Sequence, residues 1–331
     1  MIVRFRSGES RRALGWFGST WFCDKRCCTF RSWCFGPWCF GLCGLLVAAM
    51  LLNAPGQVMA QAKPPEGVAF EPNVECGKGG EQILKLDLAY PSNLDKSVPC
   101  VLLIHGGAWR GGKKDDAFMT PLLFEFAKAG YVTASLQYRL CPKHPFPAQV
   151  EDVKCAVRFL RAHADKYHIQ SGKFGAVGFS AGAHLAMMLG TTNAKDNLEG
   201  TGGWADQNSQ IQAVVSFFGP TDLAAEDLPE ISKGLVRDFI GGTKEEKLEA
   251  YHRASPIKYL DKSDAPVLMF QGTKDRLVPH TQAYKMADAM TEAGVTGRAE
   301  LLLGADHGWL GKDLEETKQK TFDFLARWLK P

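Results

Sequence analysis

Net charge is scarce in this chain: 39 Lys and Arg against 36 Asp and Glu leave +3 over 331 residues. Such a balance carries no electrostatic footprint of a nucleic-acid partner or of a strongly acidic one. The small excess is confined largely to the N-terminus, where Arg4, Arg6, Arg11, Arg12, Lys25, Arg26 and Arg31 face only Glu9 and Asp24. Hydrophobic runs of membrane-spanning length are missing too. The apolar run Trp38–Leu52 has roughly 15 residues, short of the about 20 that a spanning helix needs. Cysteine is thin beyond residue 43. Six of the ten (Cys23, Cys27, Cys28, Cys34, Cys39, Cys43) precede residue 44, leaving Cys76, Cys100, Cys141 and Cys155. No Cys/His spacing resembles a zinc site, so no metal is expected. Internal repeats are absent except for Trp-Cys-Phe-Gly, which recurs only near the N-terminus.

What stands at the N-terminus is a basic stretch, an apolar run and then small residues, the order of a secretory signal. Ala60-Gln61-Ala62 offers a small-x-small cleavage site before Lys63, and Val58-Met59-Ala60 a second one. Residues 1–62 are therefore expected to be a leader that directs the protein to a secreted or periplasmic location. An uncleaved anchor is the alternative. After cleavage no stable membrane insertion is expected. Export permits a disulfide among the four remaining cysteines, but Cys100 opens an apolar strand and Cys155 lies in a helix, which suits buried thiols equally.

Residues 63–331, roughly 270, fit one α/β domain. Val68–Val74 and Ile83–Tyr90 flank a Gly-rich turn and read as an antiparallel hairpin. Short apolar runs follow at 101–104, 131–134, 174–177, 213–217 and 267–270, as expected of parallel strands buried on both faces. Helical patterns at 148–164, 181–189 and 281–293 separate several of them; a last strand at 298–303 and an amphipathic helix at 314–329 close the chain. The expectation is a mostly parallel sheet of about eight strands covered by helices on both faces. The charged segment 222–255 interrupts this rhythm and is read as a small cap over the C-terminal strand edges, where ligands bind.

Chemistry enters at Gly178-Phe179-Ser180-Ala181-Gly182, a serine between two glycines with a strand before it and a helix after it. This is the pattern of a nucleophile elbow, whose sharp turn exposes the serine hydroxyl. Alone it equally describes a glycine-rich turn. Three other loops decide between the two. His105-Gly106-Gly107-Ala108-Trp109 follows the strand ending at Ile104 and supplies glycines that let backbone N–H groups turn toward a developing oxyanion. The N–H after the nucleophile, on Ala181, completes such a hole. Asp275 lies beyond the strand ending at Phe270, and His307 beyond the final strand. The order Ser180, Asp275, His307 is that of a hydrolase triad. Asp222 is the alternative acid. His105 and Asp152 are assigned structural roles, and His184 a place packed under the site. Trp109 and Trp309 flank the proposed site and are candidate substrate contacts through their rings.

Together His-Gly-Gly-Ala-Trp, Tyr138-Arg139-Leu140, Phe146-Pro147-Ala148, Gly-Phe-Ser-Ala-Gly, Phe-Gly-Pro-Thr-Asp-Leu and Gly-Ala-Asp-His-Gly resemble the α/β-hydrolase superfamily. The resemblance runs from Val68 to the C-terminus and is nearest the bacterial feruloyl/acetyl-xylan esterase-like branch, related to hormone-sensitive-lipase-type esterases and kynurenine formamidases. It implies an α/β-hydrolase fold and a serine carboxylesterase, without cofactor, acting on short acyl or aromatic acyl esters, including acetyl or feruloyl groups on polysaccharides. Ala108 departs from the third glycine of the lipase-type loop, leaving open whether Gly106 or Ala108 partners Gly107. An arylformamidase, a dipeptidyl-type serine peptidase and a non-catalytic binding protein on the same fold are the alternatives. Acyl specificity and oligomeric state are not legible.

Overall fold

A computed structural model describes residues 2–4 and 62–330. The apolar run 38–52 and the cleavage site at Ala60 lie outside the described residues. Among the described residues nine strands form one sheet: β1 (Ile2–Arg4), β2 (Val68–Gly79), β3 (Gln82–Pro91), β4 (Val98–Ile104), β5 (Val132–Leu136), β6 (Ile169–Phe179), β7 (Ala213–Phe217), β8 (Val267–Gly272) and β9 (Gly297–Leu302). Their order is β1-β9-β8-β7-β6-β4-β5-β3-β2. The hairpin β2–β3 is antiparallel and joins β5 antiparallel, while every pair from β5 through β4 to β1 is parallel.

Side chains alternate across the sheet because the strand period is two. On β4, Cys100, Leu102 and Ile104 enter one core, whereas Val101 and Leu103 enter the other. The first core is covered by α2 (Ala148–Ala162), α3 (Ala181–Thr191) and α6 (Thr281–Ala293). The second is covered by α1 (Met119–Lys128) and the closing α7 (Lys312–Leu329). A sheet buried on both faces explains why its parallel strands read as continuous apolar runs rather than alternating ones.

Parallel strands all end on one edge, so the loops after β4, β6, β7, β8 and β9 converge there. The segment between β7 and β8 forms two helices, α4 (Glu230–Ile240) and α5 (Lys244–Arg253). Helix α4 buries Ser232, Val236, Phe239 and Ile240, one helical face, against the domain. Cys76, Cys100, Cys141 and Cys155 are all buried free thiols. Among the described residues no helix is long and apolar enough to cross a membrane.

Candidate active site

Ser180 sits between β6 and α3 with φ 53° and ψ −118°, a conformation that ordinary residues avoid. Such strain persists only where the surroundings over-determine it. Here they do. The Ser180 N–H donates to the Phe217 carbonyl at 2.8 Å, and the Ser180 carbonyl accepts from the His184 N–H at 3.0 Å. Both flanking glycines are required by contact. A Cβ on Gly178 would strike the Gly182 carbonyl, and one on Gly182 would strike the carbonyls of Ile104 and His105.

His307, beyond β9, places its ring between serine and carboxylate. Its Nε2 lies 2.8 Å from Ser180 Oγ and its Nδ1 2.8 Å from Asp275 Oδ2. The ring rests against Phe218, with centroids 4.7 Å apart. The Asp275 side chain is fully buried. Its Oδ1 accepts from the N–H groups of Leu277 and Val278, each at 2.9 Å, and its Oδ2 also accepts from Gln271 Nε2 at 2.8 Å. The carboxylate is thus fully coordinated by donors and faces the imidazole along one fixed direction. Asp222 takes no part: its Oδ1 accepts from the Ala224 N–H in a local turn. Asp152 is bound to Arg139 through the backbone N–H and the guanidinium, an ion pair inside the fold.

The loop after β4 passes directly over the serine. A Cβ at Gly106 would lie 2.9 Å from the Phe179 carbonyl and 3.3 Å from Ser180 Cβ, so glycine sets this approach. Gly107, Ala108 and Trp109 all have positive φ, at 110°, 52° and 57°. The Gly106 carbonyl accepts from His105 Nδ1 at 2.8 Å, and the Gly107 carbonyl from the N–H groups of Arg110 and Gly111. In a trans peptide the N–H points opposite to the carbonyl. Both peptides therefore turn their N–H groups, those of Gly107 and Ala108, away from the pinned carbonyls. His105 is 1% exposed and stacks on Tyr138; burial holds its pKa below the usual histidine value.

These elements enclose a cavity of about 370 Å³ whose wall includes Gly106, Gly107, Ala108, Ser180, Ala181 and His307. Ser232 apart, the remaining wall is apolar: Trp109, Phe179, Phe218 and Pro220 from the sheet edge, Leu228, Leu235 and Val236 from the segment between β7 and β8, and Leu277 and Val278 from the loop after β8. The two tryptophans expected beside the site part company. Trp109 lines the cavity, stacked on Phe239 at 4.3 Å, and its indole N–H donates to His184 Nδ1 at 3.3 Å. Trp309 is not part of the wall. Its N–H donates to Thr317 Oγ1 in α7, and its ring packs on Phe217 and Phe218. His184 is completely buried; its Nε2 donates to the Ala254 carbonyl at 2.6 Å, and burial pushes its pKa down to about 4. A neutral His184 thereby ties Trp109 to the end of α5. Sequence reasoning assigned no role to Gln271, although it stands at the strand end four residues before Asp275. It also assigned none to Leu228, Leu235 and Val236, which carry no motif, or to Leu277 and Val278, which follow Asp275.

Comparisons with known proteins agree with this architecture. The chain is 29% identical over 218 residues to esterase LipC of Mycobacterium tuberculosis, covering 65% of this chain and 54% of LipC. It spans about half the length of the first curated relatives it matches. Among solved structures, a bifunctional GH43-CE protein of Bacteroides eggerthii superposes with a TM-score of 0.70 at 30% identity, over 78% of this chain and 38% of that one. A truncated carbohydrate esterase from gut microbiota superposes with a TM-score of 0.68 at 26% identity, over 80% and 99%. The BD-FAE family profile matches residues 86–290, more than half of the sequence, and the chain belongs to that family of α/β-hydrolases.

Proposed function

We infer that this protein is a serine carboxylesterase working through an acyl-enzyme on Ser180. The observation that carries this reading is the unbroken relay from Ser180 Oγ to His307 and from His307 to Asp275, opening on an apolar cavity. His307 Nε2 takes the hydroxyl proton as Ser180 adds to the ester carbonyl. Asp275 holds the proton on Nδ1 and stabilises the imidazolium that forms. The N–H groups of Gly107 and Ala181, with Ala108 beside them, receive the oxyanion, while Gly106 keeps the space above the serine open. Collapse expels the alcohol, protonated by His307, and water then hydrolyses the acyl-serine by the same relay in reverse. No cofactor enters these steps.

Cavity chemistry supports a substrate class. Apart from Ser180, Ser232, His307 and the backbone, the wall is hydrocarbon and aromatic ring. It suits a short alkyl or an aromatic acyl group, with Trp109 as the stacking surface, better than a hydroxyl-covered sugar. A sugar-bearing alcohol would then leave toward the mouth. Likeness to the carbohydrate esterase from gut microbiota favours acetyl or feruloyl esters of polysaccharides. The leader pattern before Lys63 favours an exported enzyme that meets such polymers outside the cytoplasm. The test is hydrolysis of p-nitrophenyl acetate, methyl ferulate and acetylated xylan by the protein and by Ser180→Ala. Ser180-dependent turnover with release of ferulate or acetate is expected. Turnover that survives Ser180→Ala would overturn the nucleophile.

A further inference from the structure

A second apolar pocket of about 240 Å³ lies on the other side of the sheet edge, between α1 and α7. Its walls include Phe118, Leu122, Phe126, Phe217 and Leu314. Lys318, paired with Glu125 at 3.0 Å and with Glu315 at 3.3 Å, stands at its rim. One residue belongs to the walls of both this pocket and the catalytic cavity: Phe179, the immediate neighbour of the nucleophile. Strand alternation explains the position. Phe179 shares the face of Val177 and points into the α1–α7 core, while Ser180 turns off the sheet edge. Its ring meets Phe118 edge-on at 4.9 Å and stacks on Phe217 at 4.9 Å, so it stands as a panel between the two spaces.

We propose that Phe179 sets the longest apolar arm this esterase accepts, by walling the catalytic cavity off from the pocket between α1 and α7. The inference rests on Ser180 being the nucleophile. Protein interiors are close-packed, and an apolar void beside a reacting centre is a space that a substrate chain fills favourably once the partition is removed. Each methylene buried there raises relative specificity roughly fourfold. The charged rim formed by Lys318, Glu125 and Glu315 limits how far such a chain extends.

The experiment compares kcat/KM for long and short arms in two series, p-nitrophenyl decanoate against acetate and decyl acetate against ethyl acetate. The first series lengthens the acyl side and the second the alcohol side. Phe179→Ala should raise the long-to-short ratio at least tenfold in one series, and Phe179→Leu should raise it less. Adding Leu122→Trp, which fills the second pocket, should return the ratio of Phe179→Ala to that of the parent. A ratio unmoved in both series by folded Phe179→Ala would overturn the proposal, as would a gain that persists with Leu122→Trp. Should Phe179→Ala not fold, Phe179→Leu decides alone. Ser180→Ala run beside these separates the two failures. Hydrolysis that survives it removes the nucleophile, whereas Ser180-dependent hydrolysis with unmoved ratios removes only the partition.

Discussion

Asp306 and Arg276 join the two loops that carry His307 and Asp275. Asp306 Oδ2 accepts from Arg276 Nε at 3.0 Å and lies 2.8 Å from Nη2, while its Oδ1 accepts from the His307 N–H at 2.9 Å. These two halves differ in worth. Arg276 is 85% exposed, and an ion pair in water contributes little. The bond to the His307 N–H fixes the backbone from which the imidazole projects. Asp306→Asn, which keeps an oxygen acceptor, should therefore lower kcat only about two- to threefold, whereas Asp306→Ala should lower it about tenfold. Steady-state kinetics on the two variants distinguish these outcomes. Equal losses would show that charge, not the backbone bond, is what matters.

Asp275 is expected to respond far more strongly. Its two oxygens already satisfy three donors besides the imidazole, so an amide at this position would present N–H groups to at least one of them. Asp275→Asn should favour the wrong imidazole tautomer and lower kcat by about 10³–10⁴ with little change in KM. Pre-steady-state release of p-nitrophenol checks that acylation is the step affected.

The loops that bring Ser180, Asp275 and His307 together were readable in the sequence because each is a short motif forced by geometry. Gly178 and Gly182 leave no room for a Cβ, and Asp275 and His307 each follow a run of buried strand residues. The walls were not readable. Val236, Phe239 and Ile240 face the domain from a segment in which Glu230, Lys233, Arg237 and Asp238 dominate composition, so the apolar face of α4 is masked by charges on the other side. Trp309 misled for the converse reason. Its place two residues after His307 suggested the site, but a positive φ at Gly308 lets the chain turn, and α7 takes the indole N–H. Adjacency in sequence locates a backbone, not a side chain.

Glycine at 182 has a measurable consequence. A Cβ there meets two backbone carbonyls on β4 and its following loop, neither of which can swing aside. Gly182→Ala should destabilise the fold by about 3 kcal/mol. A fall in Tm on the order of 10 °C is the corresponding thermal signature. A variant as stable as the parent would mean that the elbow and the β4 loop separate more readily than this packing allows.

Buried His184 predicts an acid dependence. Its folded pKa, about 4, lies below the ordinary value of 6.5, so between these values the unfolded chain binds a proton that the folded one excludes. Its contribution is complete above pH 6.5 and is lost as pH falls toward 4, by about 3 kcal/mol across the window. His184→Gln can still donate to the Ala254 carbonyl and accept from Trp109, but it does not titrate. Urea unfolding at pH 7.5 should show this variant less stable than the parent, and at pH 4.5 the difference should close or reverse. A constant difference across that range would place the titration elsewhere.

The two tryptophans give the sharpest separation between substrate contact and packing. Trp109 lines the cavity beside Ser180, whereas Trp309 spends its N–H on Thr317 and its ring on Phe217 and Phe218. Trp109→Phe keeps an aromatic surface against Phe239 but is smaller and leaves His184 Nδ1 without its donor. It should raise KM for methyl ferulate about three- to tenfold while changing KM for a short alkyl ester less. Trp309→Phe should lower stability by about 1 kcal/mol through the lost hydrogen bond and leave KM for both esters within about twofold of the parent. If Trp309→Phe instead raised KM for the aromatic ester alone, its ring would have to reach substrate by moving off Phe217 and Phe218, and loss of Tm should then not accompany the change. Measuring KM and Tm on the same two preparations separates these cases.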